Sequence, residues 1–305
     1  MMISALREKY PEYQCIVYSG DVTSNKLEIL QKVKSRFGIE LQSNDVEFCF
    51  LHTREWLEAK KYPVLTMIGQ SIGSMFVVIE ALSTVTPTIF YDSMGYSFTF
   101  WIAKILGGCK VGCYVHYPTI STDMFSQVQS GKVVYNNHRL FSTFPFLRSG
   151  KIYYYLFFAF LYSVAGKASD HIFVNSSWTK SHIDSLWKRP NRTKILFPPC
   201  NTSHLSNIPF QPRNRNYIIS IAQFRPEKDH ALQIKALAHL LHSHPLSAHQ
   251  NVKNCKLIMI GSCRNTGDEE RIASLKRLAE EVNFPLFPSL EHYSNIQIDL
   301  VKCQG

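Results

Sequence analysis

Short, wholly apolar runs alternate along this chain with longer stretches of helical period. The apolar runs predict strands at Cys15–Tyr18, Val46–Leu51, Thr88–Tyr91, Lys110–His116, His171–Asn175, Lys194–Phe197, Tyr217–Ala222 and Lys256–Ile260. The periodic stretches predict helices at Lys26–Phe37, Val64–Leu82, Ser97–Leu106, Ile152–Lys167, Ser177–Trp187, Lys228–Leu241 and Asp268–Glu281. Strand–helix alternation implies parallel sheets covered by helices on both faces, and strands apolar throughout fit burial on both sides. The double proline of Phe197-Pro198-Pro199-Cys200-Asn201 stops a strand, and the polar stretch Pro209–Asn216 follows. An N-terminal α/β domain is therefore expected over 1–200 and a second one over 201–282, with strands from Tyr217 onward. Met1–Tyr10 is too polar for a signal peptide or a membrane span and reads as the last turns of a helix leading to the strand at Gln14–Tyr18.

One predicted helix stands out. Ile152–Ala165 reads IYYYLFFAFLYSVA, with Arg148 and Lys151 before it, Lys167 after it, and His138 and Arg139 upstream. The run is short for a bilayer span. Its tyrosines gather at one end, where a membrane interface favours amphipathic rings. Two readings remain open: a helix lying against a bilayer surface, and a buried core helix.

Charge narrows the partners. The formal net charge is +10 over 305 residues, which favours acidic partners. The chain lacks RNA-binding aromatic signatures, zinc-finger spacing and long Lys/Arg blocks, so no nucleic acid is expected; basic residues around an apolar stretch point to a membrane surface. At 45% hydrophobic and 13% aromatic residues, the chain can fill two cores. None of its eight cysteines forms a CxxC pair, so metal binding is not expected, and their scatter fits a reducing compartment. Cys49, Cys113 and Cys255 read as buried side chains. The sequons at Asn175, Asn191 and Asn201 read as chance occurrences.

Candidate chemistry sits where strands end. Ile218–Ala222 runs into Gln223-Phe224-Arg225-Pro226-Glu227-Lys228, a turn expected to open a helix with Pro226 in its first turn. Cations are disfavoured at a helix N-terminus unless an anion sits among them, so Arg225 and Lys228 point to phosphate. The bland alternative is a solvated turn whose cations pair with Glu227. The strand at Lys110 delivers His116 at its carboxyl end, where doubly wound sheets bind ligands. Asp92, Ser93 and Gly95 form a neighbouring loop, and Gly261 ends a strand of the second domain. The hydroxyls of Asn175-Ser176-Ser177-Trp178-Thr179 are accounted for by helix capping.

Taken together, GYSF at Gly95–Phe98, VGCYVHYPTISTDM at Val111–Met124, IYYYLF at Ile152–Phe157, VNSSWT at Val174–Thr179, PPC at Pro198–Cys200 and QFRPEK at Gln223–Lys228 form a pattern. It resembles the eukaryotic dolichol-pathway GDP-mannose α-1,2-mannosyltransferases, retaining family 4 glycosyltransferases of the GT-B fold. The resemblance runs from about Leu6 to about Glu281. It implies two Rossmann-like domains facing a cleft, the second incomplete, and no cofactor or metal. It also implies GDP-mannose as donor, a dolichyl-diphosphate oligosaccharide as acceptor, and a place on the cytosolic face of the endoplasmic reticulum membrane, with other mannosyltransferases of the pathway as partners. In related enzymes a Gly-Arg pair and a following Lys contact the donor diphosphate. Here Ala222-Gln223 replaces the pair, Arg225 supplies the charge, and Lys228 matches the Lys; His116 matches a His near the reacting sugar. The family pattern leads one to expect truncation at both ends: an anchoring helix and glycine-rich loop before residue 1, an acidic E-x7-E motif downstream, and a non-family tail at 283–305. The competing expectation is a catalytically inactive fragment that binds a membrane or a partner.

Overall fold

The computed structural model describes residues 1–121, 124, 145–200, 202, 206–209, 217–243, 255–263, 265–283 and 296–300. His138, Arg139, Asn201, Arg264, most of the 209–216 stretch and the side chain of Arg148 lie outside that description. The chain divides into two compact units, Met1–Asn207 and Ile208–Gly305.

In the first unit, β1 (Ile16–Ser19) pairs with β2 (Glu47–Phe50), and β3 (Ile89–Asp92), β4 (Lys110–Val115), β5 (His171–Val174) and β6 (Thr193–Ile195) form a four-stranded sheet in that order. Every pairing is parallel. Helix α1 (Met2–Lys9) precedes β1, and α2 (Lys26–Phe37), α3 (Thr66–Thr84), α4 (Phe100–Ile105), α5 (Pro145–Gly166) and α6 (Ser177–Trp187) connect the strands. Local signals set several ends. Asn25 accepts the Glu28 N–H at 2.9 Å to start α2, and Gly38 ends it in the left-handed conformation.

The core of this unit lies between the four-stranded sheet and the helices that cover it. Phe100 and Ala103 of α4, Phe158 and Tyr162 of α5, and Ile183 and Trp187 of α6 meet Val111, Cys113 and Ile172. Trp187 meets Phe100 edge-on at 6.1 Å and Tyr162 at 5.3 Å between ring centroids. A smaller cluster of Cys49, Leu51 and Ala81 packs α3 near β2. Glu80 of α3 accepts the backbone N–H groups of His52 and Thr53 and the Thr53 hydroxyl, tying the loop after β2 to the helix.

The second unit holds β7 (Tyr217–Ile221), β8 (Lys256–Gly261) and β9 (Ile296–Leu300), all parallel in that order, with α7 (His230–Ser243) and α8 (Thr266–Asn283). Its core joins Phe224, Ile234, Leu237, Leu257, Met259, Ile272 and Leu275. All eight expected strands are present. β9 was not expected; it falls in the stretch assigned to a tail and extends the sheet beyond β8. The seven described cysteines are free thiols, and Cys255 is half-buried instead of buried.

Candidate functional site

The second unit builds a cationic strand end. β7 and β8 run in register to Ile221 and Ile260, and the Ala222 N–H donates to the Ile260 carbonyl at 3.0 Å. Gly261 follows directly; a Cβ there would overlap the Ala222 carbonyl oxygen, so only glycine allows this approach. Phe224 then buries completely, with its ring 4.9 Å from that of His230.

Here the structure corrects the sequence reading. Pro226 does not open the long helix. Pro226–Lys228 is a separate 3-10 turn, closed by Asp229 in the left-handed region at φ 42°, and α7 starts only at His230. Arg225 precedes that turn and Lys228 ends it, so the argument from a long helix dipole does not apply to them. What remains is their place at a strand end beside the start of α7. Arg225 approaches Glu227 at 3.7 Å, a loose pair with both side chains at least a third exposed, so the bland alternative is partly realised. Lys228 is exposed.

Three buried nitrogens here have no hydrogen-bond partner among the described residues: Arg225 Nε, His230 Nδ1 and Arg271 Nε. His230 is 3% exposed. Burial, then the positive charges of Arg271 and Lys228, push its pKa below the ordinary 6.5, while Asp229 opposes them. The imidazole is therefore neutral at pH 7, set among cations with donors to spare, an arrangement suited to an anion. Sequence reasoning missed His230 and Arg271. The only signal for His230 was its place two residues after Lys228; nothing marked Arg271, on α8.

The first unit carries its candidates at the carboxyl ends of β3, β4 and β5. Asp92 is 7% exposed, and its carboxylate accepts the Met94 N–H at 3.1 Å and the Gly95 N–H at 2.9 Å. Gly95 has φ 90°, a conformation that closes this turn and that side chains rarely adopt. Burial raises the Asp92 pKa against the opposing pull of the Met94, Gly95 and Tyr96 N–H groups and of His116. Ser93 is exposed. Asp92 pairs in register with Cys113, so His116, just past the end of β4, belongs to the same strand-end layer. His116 is exposed, and its ring meets that of Tyr114 at 4.7 Å.

The loop after β5 closes on the same place. The Ser176 hydroxyl accepts the Thr179 N–H at 3.1 Å, the cap that sequence predicts. Buried Thr179 also donates to Asn175 Oδ1 at 2.7 Å and lies 3.5 Å from the His116 carbonyl. Next to them the rings of Tyr117 and Trp178 stack at 5.1 Å. The sequence reading had Trp178 only within a capping segment and Tyr117 only within a motif. Thus Asp92, Ser93, Gly95 and His116 share one end of the first unit, while Arg225, Lys228 and Gly261 share one end of the second. Among the described residues, no three His, Cys, Asp or Glu side chains are grouped to hold a metal ion.

Comparisons with known proteins bear on both units. The family described as ALG11 mannosyltransferase N-terminus matches residues 1–187. The human protein named GDP-Man:Man(3)GlcNAc(2)-PP-Dol alpha-1,2-mannosyltransferase is 44% identical over 303 residues, covering 98% of this chain and 60% of its own length. The Dictyostelium discoideum protein of the same name is 43% identical over 92% of this chain and 56% of its own. The chain thus spans about 60% of the length of the curated relatives it matches. Coverage of 98% carries the human match past Asn283, into the stretch read from sequence as a tail.

Among solved structures, α,α-trehalose 6-phosphate synthase from Burkholderia multivorans superposes with a TM-score of 0.57 at 10% identity, over 95% of this chain and 73% of that one. The N-terminal domain of Candida albicans trehalose-6-phosphate phosphatase gives 0.54 at 12% identity, over 94% and 65%. At such identities the likeness concerns the fold alone, which is the α/β GT-B type.

Proposed function

This chain belongs to the family of dolichol-pathway GDP-mannose α-1,2-mannosyltransferases, and from that premise we propose that it moves mannose from GDP-mannose to a dolichyl-diphosphate oligosaccharide with retention of configuration. The observation that carries this reading is the 44% identity spread over 98% of the chain, which takes in both strand-end groups.

In this reading Lys228 and Arg225 meet the donor diphosphate. Negative charge grows on the diphosphate as the bond from the anomeric carbon to its oxygen breaks, and cations held in place before the reaction stabilise it most. The buried unpartnered Nε of Arg225 fits that role. His116, steadied by Tyr114 and by the contact of its carbonyl with Thr179, is the residue of the first unit assigned to the transferred sugar. The reading calls on no cofactor. Its site is the cytosolic face of the endoplasmic reticulum membrane. The outward rows of α3 (Ile72, Phe76, Ile79) and α5 (Tyr153, Leu156, Phe157, Phe160), apolar and exposed, support contact with a lipid surface.

The test is donor binding followed by transfer. The chain is expected to bind GDP-mannose in preference to UDP-glucose, and Lys228→Ala to weaken that binding about tenfold or more, a change of about 1.4 kcal/mol or more. With a dolichyl-diphosphate acceptor, the labelled product is expected to be cleaved by an α-1,2-mannosidase. Equal binding of UDP-glucose, or a Kd unchanged by Lys228→Ala, would overturn the assignment.

A further inference from the structure

We propose that the open face of Tyr117, backed by the stacked ring of Trp178, forms a stacking platform for one hexose ring of the acceptor oligosaccharide, beside His116. The proposal rests on the transferase reading and adds to it a sugar seat within the first unit.

The two rings come from different strand–helix units. Tyr117 follows His116 at the carboxyl end of β4, and Trp178 lies in the first turn of α6, just after β5. Adjacent parallel strands bring them together, stacked at 5.1 Å with planes 28° apart. Both are open to solvent, Tyr117 at 61% and Trp178 at 41%. Large aromatic rings left this exposed gain little from the fold, and here they are also held in place. Trp178 rests against the buried His182 ring at 4.1 Å. Buried Pro118 fixes the chain after Tyr117, and Thr179 lies against the His116 carbonyl, joining the two loops. A platform set before binding loses little freedom when it is occupied.

The chemistry selects a sugar. A pyranose presents one face of C–H groups, which pack on the electron-rich face of an aromatic ring. Its rim of hydroxyls needs polar partners, and the Tyr117 phenol and Trp178 indole N–H supply them at the platform edge. The surroundings are polar too: His116, Thr119 and Ser177 are exposed, and Asn175 and Ser176 are half-exposed. This separates the pair from the outward rings of α5, which sit among Leu156 and Val164 and suit lipid. The platform lies outside the strand ends of β3–β5, the side on which open α/β sheets receive ligands, and it adjoins the histidine assigned to the transferred sugar.

The test uses the whole chain and a soluble Man3GlcNAc2 oligosaccharide without its lipid, with binding followed by saturation-transfer NMR and calorimetry. Tyr117→Ala and Trp178→Ala should each weaken oligosaccharide binding about tenfold or more, the first by removing the sugar-facing ring and the second by removing the ring that holds it, while Tyr117→Phe and Trp178→Phe should stay within about threefold, because the face and its aromatic backing survive. GDP binding should be unchanged in all four. Tyr117 is exposed enough that its alanine variant should keep the wild-type melting temperature, so its result stands even if Trp178→Ala unfolds. The proposal is overturned if the alanine variants bind as wild type, if the wild-type chain does not bind the oligosaccharide, or if GDP displaces it from these rings. If GDP binding is intact and sensitive to Lys228→Ala while Tyr117→Ala changes nothing, the platform alone fails. If GDP-mannose is not bound at all, the transferase reading fails with it.

Discussion

Asp170 shows how one side chain holds several elements in register. It precedes β5, and its carboxylate meets Lys104 of α4 at 2.7 Å, accepts the Val111 N–H of β4 at 2.9 Å and lies 3.5 Å from Arg192. Burial pushes its pKa up, but the Lys104 hydrogen bond and the Val111 N–H outweigh that, and the net shift is downward. A lowered carboxylate pKa stabilises the fold above the ordinary value of 3.8, and that contribution is lost as pH falls through the lowered folded value. Asp170→Asn is therefore expected to cost on the order of 1–3 kcal/mol at pH 7, toward the lower end because Lys104 is partly exposed and screened. Urea unfolding at pH 7 and pH 3 would check it: the gap between wild type and variant should narrow in acid, and a gap that stays constant would exclude the charge as its cause. At this scale, sequence showed the residues that end apolar runs, His116 and Asp92 among them, because a strand end is visible in one dimension. It hid Tyr117 with Trp178, and His230 with Arg271, because those partners come together only when separate strand–helix units pack.

The element that sequence left undecided is α5, and the structure shows why. Tyr155, Phe158, Tyr162 and Ala165 are buried, while Tyr153, Leu156, Phe157 and Phe160 are exposed, Phe160 at 63%. The spacing is that of one helical face, yet both faces are apolar, so no contrast in hydrophobicity marks the inner one. The buried face bears out the core reading, and the opposite face is apolar and exposed. Phe158 stacks with Tyr162 and meets Phe98 at 5.6 Å, so Phe158→Ala is expected to cost about 3–5 kcal/mol of stability. Phe157→Ser with Phe160→Ser should change stability by only about 0.5 kcal/mol per site, yet weaken binding to lipid vesicles about tenfold or more, since immersing a Phe is worth about 1.5–3 kcal/mol. Denaturation and vesicle flotation on the same variants separate the two faces; vesicle binding untouched by the double serine change would remove α5 from the membrane contact. The Pro226 turn was misread for a different reason. Asp229 adopts φ 42° and breaks the run there, a conformation uncommon enough outside glycine that pattern alone does not anticipate it.

Across the whole molecule, alternation of strand and helix was enough to predict parallel sheets, but burial on both faces holds for β4 and not for β7, where Tyr217, Ile218, Ile219 and Ile221 are exposed; both strands nevertheless write themselves as unbroken apolar runs. β9, with Gln297 and Asp299 among its apolar residues, does not, and was missed. Net charge and apolar surface then act at different ranges. A charge of +10 attracts an anionic bilayer from a distance set by ionic strength, whereas the outward rows of α3 and α5 act only on contact. Raising salt from 0.1 M to 1 M shortens the screening length from about 10 Å to about 3 Å. Association with anionic vesicles should therefore slow about tenfold or more over that range, as expected for steered encounter, while binding to neutral vesicles should change little. The Phe157→Ser, Phe160→Ser variant should weaken the salt-insensitive part and keep the salt-sensitive one. Stopped-flow association at the two salt concentrations would decide the matter: equal rates on anionic vesicles would show that the positive charge serves some partner other than a lipid surface, and binding that vanishes altogether at high salt would show that the apolar rows never reach the bilayer.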